Sequence, residues 1–237
     1  MINGMKTFAL LALLGGLFVV VGGAIGGSGG LVLGLGLGLV FVGGAYWFSD
    51  KVVLRMFRAR LVTQQDAPRL VGTVAKLARS AGLPMPRVAI IPMDGPNAFA
   101  TGRNPKNAVI AVTTGLSNLM DQDELEGVIA HELGHIRNRD ILVSTMAAAL
   151  AGAISMLSHS ARWNVMLSGR RSRGTHPLTV LLIAILAPVA ALLIQASISR
   201  DREFSADEAG ARISGKPMAL VSALEKLETL SRSQPIS

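Results

Sequence analysis

Two histidines and a glutamate share one predicted helical turn in the middle of the chain. His131, Glu132 and His135 stand in the stretch His-Glu-Leu-Gly-His. Residues four apart lie on the same face of a helix, so both imidazoles can bind one zinc ion, and Glu132 can act as a general base toward water. The alternative is an amphipathic helix that carries the two histidines by chance. The chain has only four histidines, so the spacing favours a catalytic metal site.

The third metal ligand must come from elsewhere in the chain, because a catalytic zinc usually takes three protein ligands and keeps one position for water. The chain has no cysteine, which leaves histidines and carboxylates. His159 and His176 are candidates without motif context. Glu203 and Asp207 are a stronger pair: they are four apart in a polar helical stretch, so one can bind the metal and the other can orient a ligand imidazole. A solvated, charged helix face is the alternative for these two carboxylates.

The first fifty residues predict a pair of membrane helices. Thr7–Ala24 and Leu31–Phe48 are almost wholly apolar, and a glycine-rich stretch joins them. Each run is close to the roughly 20 residues that cross a bilayer. A cleaved signal peptide is the alternative for the first run, but no clear cleavage motif follows it and a second apolar run comes at once. We therefore expect a retained hairpin.

The positive charge of the chain lies beside its apolar segments. The formal net charge is +8, and no aromatic-basic motif for nucleic acid is present, so anionic lipid headgroups are the expected partner and nucleic acid is not. By the positive-inside rule, the end of the second span is cytoplasmic. The basic residues that follow that span are Lys51, Arg55, Arg58 and Arg60.

Two later apolar runs, Ile141–Leu157 and Leu178–Ile198, predict a second hydrophobic hairpin, with a kink at Pro188. The metal helix has no clear stop before the first of these runs, so we expect it to continue into the membrane. A shared metal site requires both runs to cross together or not at all. Crossing would place the arginines around Arg170 outside, against the positive-inside bias. We favour crossing over a shallow hairpin because the earlier basic cluster already fixes the orientation.

The predicted fold class is a mainly α membrane protein, in which four hydrophobic helices carry an α+β zinc protease domain with a small β-sheet. Strands are expected at Arg87–Pro92, Asn97–Thr101 and Asn107–Thr113, and Asp121 or Asp123 is expected to cap the metal helix. The predicted segments are a transmembrane hairpin at 1–48, a catalytic part at 49–140, a second hairpin at 141–198, and a catalytic part with a C-terminal helix at 199–237.

The chain resembles the HtpX family of membrane zinc metalloproteases, which are related to the CAAX prenyl proteases. The resemblance is carried by the motif at His131–His135 and by Ser-Arg-Asp-Arg-Glu-Phe-Ser-Ala-Asp at Ser199–Asp207. It is supported by Asn97–Ala100 and by the order of the hydrophobic segments. It implies a gluzincin-like catalytic domain and one zinc ion per chain, with Glu203 as the third ligand beside the two histidines. Asp207 is then left to orient a ligand imidazole.

The resemblance also implies an activity and a location. Family members hydrolyse misfolded or damaged membrane proteins in the bacterial inner membrane under stress, so we expect polypeptide substrates, a surrounding lipid bilayer and a cytoplasmic active site with Glu132 as the base. Asn97, Ala98, Phe99 and Ala100 would form an edge strand that pairs with an extended substrate. The alternative for this segment is a plain loop. Family chains continue with further helices beyond the position of Ser237, so this chain is expected to be a truncated or shorter member.

Two other interpretations stay open. An intramembrane zinc protease would place its motif inside a span, but the many charged residues around His131–His135 are too polar for a bilayer centre. A non-catalytic membrane scaffold could hold zinc structurally, but such sites are usually closed by four side chains, and here Glu132 is intact. The group that stabilises the oxyanion is not identified by the sequence, and the candidates are His159, His176 and Arg200.

Overall fold

The computed structural model describes residues 2–149 and 199–233, with single positions at 151, 155, 191, 194 and 195 between them. The chain divides into two compact units, one formed by 1–53 with 143–198 and the other by 54–142 with 199–237. The described part is mostly helical and contains a small mixed sheet. The prediction of a mainly helical chain with a small sheet is confirmed at this level.

The first unit contains most of one long helical run, α1 (Ile2–Met56), which is interrupted at Gly26 and Gly27. Gly27 has a φ of 56° and a ψ of −139°, a conformation that a residue with a side chain rarely adopts. A Cβ added at Gly30 or Gly34 would overlap a backbone carbonyl of the preceding helical half. The glycine-rich stretch therefore turns the chain back on itself, as predicted, and lets the two halves pack backbone against backbone.

One described helix is long and apolar enough to cross a membrane. It covers Gly26–Met56, and its most apolar window has a mean hydropathy of 1.9. The first predicted span, Thr7–Ala24, is represented by the shorter apolar helix Gly15–Ala24. The prediction of four hydrophobic helices is thus matched by one clear span among the described residues. The later predicted runs lie outside the described residues apart from the helical segment 141–149 and isolated positions, and Pro188, His159 and His176 lie outside them altogether.

The second unit is built on a four-stranded sheet with the order β1-β2-β4-β3. The strands are β1 (Arg60–Val62), β2 (Arg87–Ile91), β3 (Ala98–Gly102) and β4 (Ala108–Thr113). β2 and β4 are parallel, and the other neighbours are antiparallel. The three predicted strands are confirmed to within one or two residues. Sequence analysis missed β1, because three residues are too few to show an alternating pattern. β3 is left as an edge strand.

Five α-helices complete the described part of this unit: α2 (Pro68–Ser80), α3 (Thr114–Leu119), α4 (Gln122–Asn138), α5 (Arg200–Ser214) and α6 (Pro217–Ser233). α4 lies at the centre, and Leu125, Ile129, Leu133 and Ile136 on it are almost completely buried. Its N-terminus is closed by a reciprocal capping box between Asp121 and Glu124. Asp121, rather than Asp123, is therefore the cap.

α4 ends at Asn138, so the expectation that it continues into the next apolar run is wrong. Arg139 has a φ of 58° and lies in the left-handed region, which terminates the helix without a glycine. The turn redirects the chain, and the backbone N–H of Asp140 donates to the carbonyl of His135. The metal helix is therefore an independent element with a defined end.

Buried carboxylates fix α4 to its neighbours. Glu126 accepts hydrogen bonds from Lys76 of α2 at 2.8 Å and from Lys216, just before α6, at 3.1 Å. The hydrogen bond from Lys76, together with the other donors, lowers the pKa of Glu126 to about 2. Glu124 is held by Ser222 and Lys226 of α6. These ion pairs set the position of the helix that carries the two histidines.

Candidate metal centre

Three side chains converge between α4 and α5. The Nε2 atoms of His131 and His135 are 3.1 Å apart. Oε2 of Glu203 lies 3.6 Å from Nε2 of His131 and 3.7 Å from Nε2 of His135. Ligand bonds of about 2.0–2.2 Å at tetrahedral angles separate ligand atoms by about 3.3–3.5 Å. Two imidazole nitrogens and a carboxylate oxygen at these distances fit a metal ion of the size of zinc.

Two further carboxylates hold the imidazole rings from behind. Nδ1 of His131 lies 2.8 Å from Oδ1 of Asp207, and Nδ1 of His135 lies 3.3 Å from Oδ2 of Asp140. An ionised carboxylate can only accept a hydrogen bond at these contacts, so each Nδ1 carries the hydrogen and donates it. Each Nε2 is then unprotonated and offers its lone pair to the space shared with Glu203. The donor set is therefore oriented for a cation.

Asp140 is a partner of His135 that sequence analysis missed, since it was counted only among the charged residues around the motif. Its side chain is almost fully buried. Burial alone would lower the pKa of His135, but the hydrogen bond to Asp140 and the nearby carboxylates outweigh burial and raise it. Asp140 reaches His135 only because Arg139 reverses the chain. The sequence carries no signal for this turn, because the residue at the left-handed position is not a glycine.

Glu132 lies beside the metal-binding groups and is 8% exposed. Its Oε2 accepts a hydrogen bond of 2.7 Å from the backbone N–H of Ala100 on β3. Burial raises the pKa of the Glu132 carboxyl, because the charged form loses its hydration, and the two histidines oppose this shift. A carboxylate with a raised pKa is a stronger base, which suits a group that must accept a proton from water.

The predicted substrate segment divides between two faces of the sheet. Ala98 and Ala100 belong to β3 and pack on the side of α4, whereas the ring of Phe99 packs against Phe57, with centroids 5.3 Å apart. Asn97 precedes the strand, and its backbone pairs with Thr113. The N–H of Ala100 points to Glu132, whereas the backbone of Asn97 pairs with Thr113 of β4. The backbone groups of Ala98 and Ala100 therefore face the free edge of β3, and those of Phe99 face β4.

Two glycines set the separation of α4 and α5. A Cβ added at Gly134 would lie 2.7 Å from the carbonyl oxygen of Ala206, and one at Gly210 would lie 3.0 Å from the backbone nitrogen of His131. The helices therefore touch backbone to backbone at the height of the metal ligands. This contact brings Glu203 and Asp207 within reach of the histidines. A glycine inside a predicted helix costs about 1 kcal/mol, which is the sequence signal for such a contact.

We expect Gly210→Val to weaken metal binding at least about tenfold, because its side chain would meet the backbone of His131 and push α5 outward. The matched control is Gly72→Val on α2, where an added Cβ meets only an ordinary contact with Gln64 at 3.6 Å. Metal affinity would be measured by competition with a chelator. Equal affinities for the two variants would show that the close contact does not position the ligands.

We expect Asp207→Asn to give a partly active enzyme with about 10–100-fold weaker metal binding, because a neutral amide orients His131 less firmly than a carboxylate does. The control is Glu208→Gln, which removes a neighbouring carboxylate that pairs only with Arg212 on the surface of α5. Metal affinity and kcat/KM at saturating metal would be measured for both. Wild-type values for Asp207→Asn would place Asp207 on a solvated face instead.

Of the candidate oxyanion donors, only Arg200 lies among the described residues. It is exposed and is the first residue of α5. His159 and His176 lie outside the described residues. The position of Arg200 does not single it out for this role.

Comparison with known proteins gives a consistent result. A family model described as Peptidase family M48 matches residues 64–235. A relative from Syntrophobacter fumaroxidans, named Protease HtpX homolog, is 51% identical over 98% of this chain and 84% of its own length. Relatives with the same name from Thermococcus kodakarensis and Ralstonia pickettii are 52% and 51% identical, over 81% and 82% of their lengths.

The solved structure "Crystal Structure of S. mikatae Ste24p" matches with a TM-score of 0.46 and 19% identity, over 85% of this chain and 58% of that one. A likeness at this level adds nothing about function. The family match covers well over half of the chain, and the relatives are about half identical over nearly all of it. The resemblance found in the sequence is thereby confirmed, and the chain belongs to peptidase family M48, among the HtpX-type proteases.

Proposed function

We propose that this membrane metallopeptidase is a zinc endopeptidase that hydrolyses misfolded or damaged membrane proteins, as part of quality control under stress. One observation carries the proposal: the convergence of His131, His135 and Glu203 beside a buried glutamate and an edge strand. The donor set of two imidazoles and one carboxylate is the type found in catalytic zinc sites. The open strand edge provides a place for an extended polypeptide.

The residues divide the chemistry among themselves. His131, His135 and Glu203 would hold the zinc ion, which when bound polarises the scissile carbonyl and lowers the pKa of water to about 7. Glu132 accepts the proton that the attacking water loses, and later donates it to the nitrogen of the leaving amine. The hydrogen bond from Ala100 holds the Glu132 carboxylate in place through both transfers. One water is consumed, and one peptide bond is replaced by a carboxylic acid and an amine, which become a carboxylate and an ammonium group when the acid proton passes to the amine.

The edge strand would orient the substrate. Asn97, Ala98, Phe99 and Ala100 contribute to this role unequally, because only the outward backbone groups of β3 can pair with another chain. Main-chain hydrogen bonds recognise an extended backbone of any sequence. A protease that binds in this way can act on many unfolded segments, which suits the removal of damaged proteins.

The proposal is tested by mapping cleavage sites. Detergent-purified protein with one zinc ion per chain would be incubated with casein and with a destabilised membrane protein, and the products would be identified by mass spectrometry. We expect cuts in exposed segments outside the membrane spans, with loss of activity in chelator and recovery with zinc. Cuts confined to the spans would favour an intramembrane protease, and no cuts by the zinc-loaded protein would favour a non-catalytic scaffold.

The proposed location is the plasma membrane, which is the inner membrane in a bacterium, with several spans and the metal centre on the cytoplasmic side. The proposal keeps the four segments 1–48, 49–140, 141–198 and 199–237. It is supported by the apolar helix Gly26–Met56 and by the exposed basic residues at and just beyond its end. Those residues are Lys51, Arg55, Arg58 and Arg60.

Single cysteines test this orientation, because the chain has none of its own. We expect Ser168→Cys to react with a membrane-impermeant maleimide in intact cells, while Ser205→Cys on α5 reacts only after lysis. Labelling of both in the lysate is the control for reactivity. Protection of both positions in intact cells would keep the second hairpin on the cytoplasmic side, and labelling at Ser205 would reverse the orientation.

A further inference from the structure

A cavity of about 160 Å³ opens beside the metal centre, within the second unit. Glu132, His131 and Asp207 line it, and so does Ala98 of the edge strand. We infer that this cavity binds one large apolar side chain of the substrate, from a residue that flanks the scissile bond, and thereby sets the cleavage preference. The inference rests on the proposed peptidase function.

Most of the other residues that line the cavity are apolar. α6 contributes three leucines spaced four and three residues apart, which places them on one face of the helix. The other apolar lining residues are Leu116 of α3, Val128 of α4, Pro96 and Ala98, and Asn97 is polar. An apolar substrate side chain would gain from leaving water against these walls, whereas a charged one would lose much of its hydration there. The three leucines are Leu220, Leu224 and Leu227.

The size of the cavity suits a single large side chain. An apolar cavity of about 150 Å³ holds a benzene molecule. A space of about 160 Å³ therefore accepts a leucine, isoleucine, methionine or phenylalanine side chain. An alanine side chain would leave most of the cavity unfilled and would forfeit the contacts that larger side chains make.

The position of the cavity connects it to the reacting bond. A substrate extended along β3 would bring its scissile bond to Glu132, which is held against the same strand through Ala100. Successive side chains of an extended chain point to opposite sides, so one of the two residues flanking the bond faces the cavity. The backbone would be recognised by the strand edge, and one side chain would be recognised by the cavity.

Leu224 offers a way to test the inference without disturbing the core. Its side chain lines the cavity and is 52% exposed. We expect Leu224→Trp to lower the ratio of kcat/KM for a leucine peptide over an alanine peptide at least about tenfold, because the new ring occupies the space. The matched control is Val221→Trp, one turn away on α6, exposed and outside the cavity. It should keep the wild-type ratio.

A second variant is expected to gain activity toward a new substrate, which misfolding cannot produce. Leu224→Lys places a cation at the cavity, so cleavage of peptides with glutamate at the selected position should rise relative to wild type. The substrates are quenched fluorescent peptides that carry Leu, Phe, Ala, Glu or Lys on either side of the cleaved bond. We expect wild type to prefer Leu and Phe at one of these two positions.

The outcomes separate the two levels of the hypothesis. If zinc-loaded wild type cleaves neither these peptides nor casein, the proposed function itself fails. If wild type cleaves them but shows no apolar preference at either flanking position, the cavity is not a specificity site. The same conclusion holds if Leu224→Trp and Val221→Trp change the Leu-to-Ala ratio equally, or if Leu224→Lys gains no activity toward glutamate.

Discussion

Glu132→Gln is expected to bind its metal as wild type does and to lose about 10²–10⁴-fold in kcat, because a neutral amide cannot accept the proton of the attacking water. The amide oxygen of glutamine can still accept the hydrogen bond that Ala100 donates. The substitution therefore removes the base while keeping the local structure. Metal content and casein hydrolysis, measured on the same preparation, give both values.

The control for this prediction is Glu225→Gln, which makes the same chemical change at an exposed position on α6. Glu132→Asp adds a second comparison: it keeps the carboxylate but withdraws it by one methylene, so activity should fall less than in Glu132→Gln. Substantial hydrolysis by Glu132→Gln would mean that another group takes the proton. Loss of metal from the variant would instead assign Glu132 a structural role.

The sequence predicted the part of the site that depends on local geometry. The spacing of His131 and His135 places both side chains on the same face of any helix. α4 is a helix because of its capping box and its buried apolar face. The pairing of Glu203 with Asp207 was recognised for the same reason. Which carboxylate faces the metal could not be decided by spacing and came from the family resemblance.

The parts that escaped prediction depend on contacts between elements that are distant in the chain, or on one unusual backbone conformation. Asp140 reaches His135 only because Arg139 adopts a left-handed conformation, and a non-glycine residue gives no signal for this. The hydrogen bond between Ala100 and Glu132 joins an edge strand to a helix 32 residues later. The cavity exists because α6 packs beside α4 and α3.

The close contact of α4 and α5 belongs to the same group. Gly134 and Gly210 lie in two helices that are far apart in sequence. The sequence around each glycine does not indicate which helix packs against it. Once the helices pack, these glycines explain how a carboxylate from α5 reaches the imidazoles of α4. The identity of the proposed ligands thus comes from motif chemistry and the family resemblance, while the distances between their side chains follow from the helix pair.

Glu203→Ala is expected to lower metal affinity by more than about 100-fold, which exceeds the usual effect of losing a group that only orients a ligand. The variant removes one of three oxygen and nitrogen donors whose separations are 3.1, 3.6 and 3.7 Å. Two histidines would remain, and they leave the cation without its negatively charged ligand. The protein should be isolated without stoichiometric metal, and hydrolysis should be lost with it.

The Glu203 side chain is 56% exposed, as a solvated surface carboxylate would be, so its exposure alone does not distinguish a metal ligand from a surface residue. Glu208→Ala on the same helix is the matched control, since Glu208 is equally exposed and its partner is the surface residue Arg212. If Glu203 is a ligand, only its own substitution releases the metal, and Glu203→Gln restores little because an amide is a weaker donor. Full metal content in Glu203→Ala would leave two histidines as the site and require a third ligand from another part of the chain.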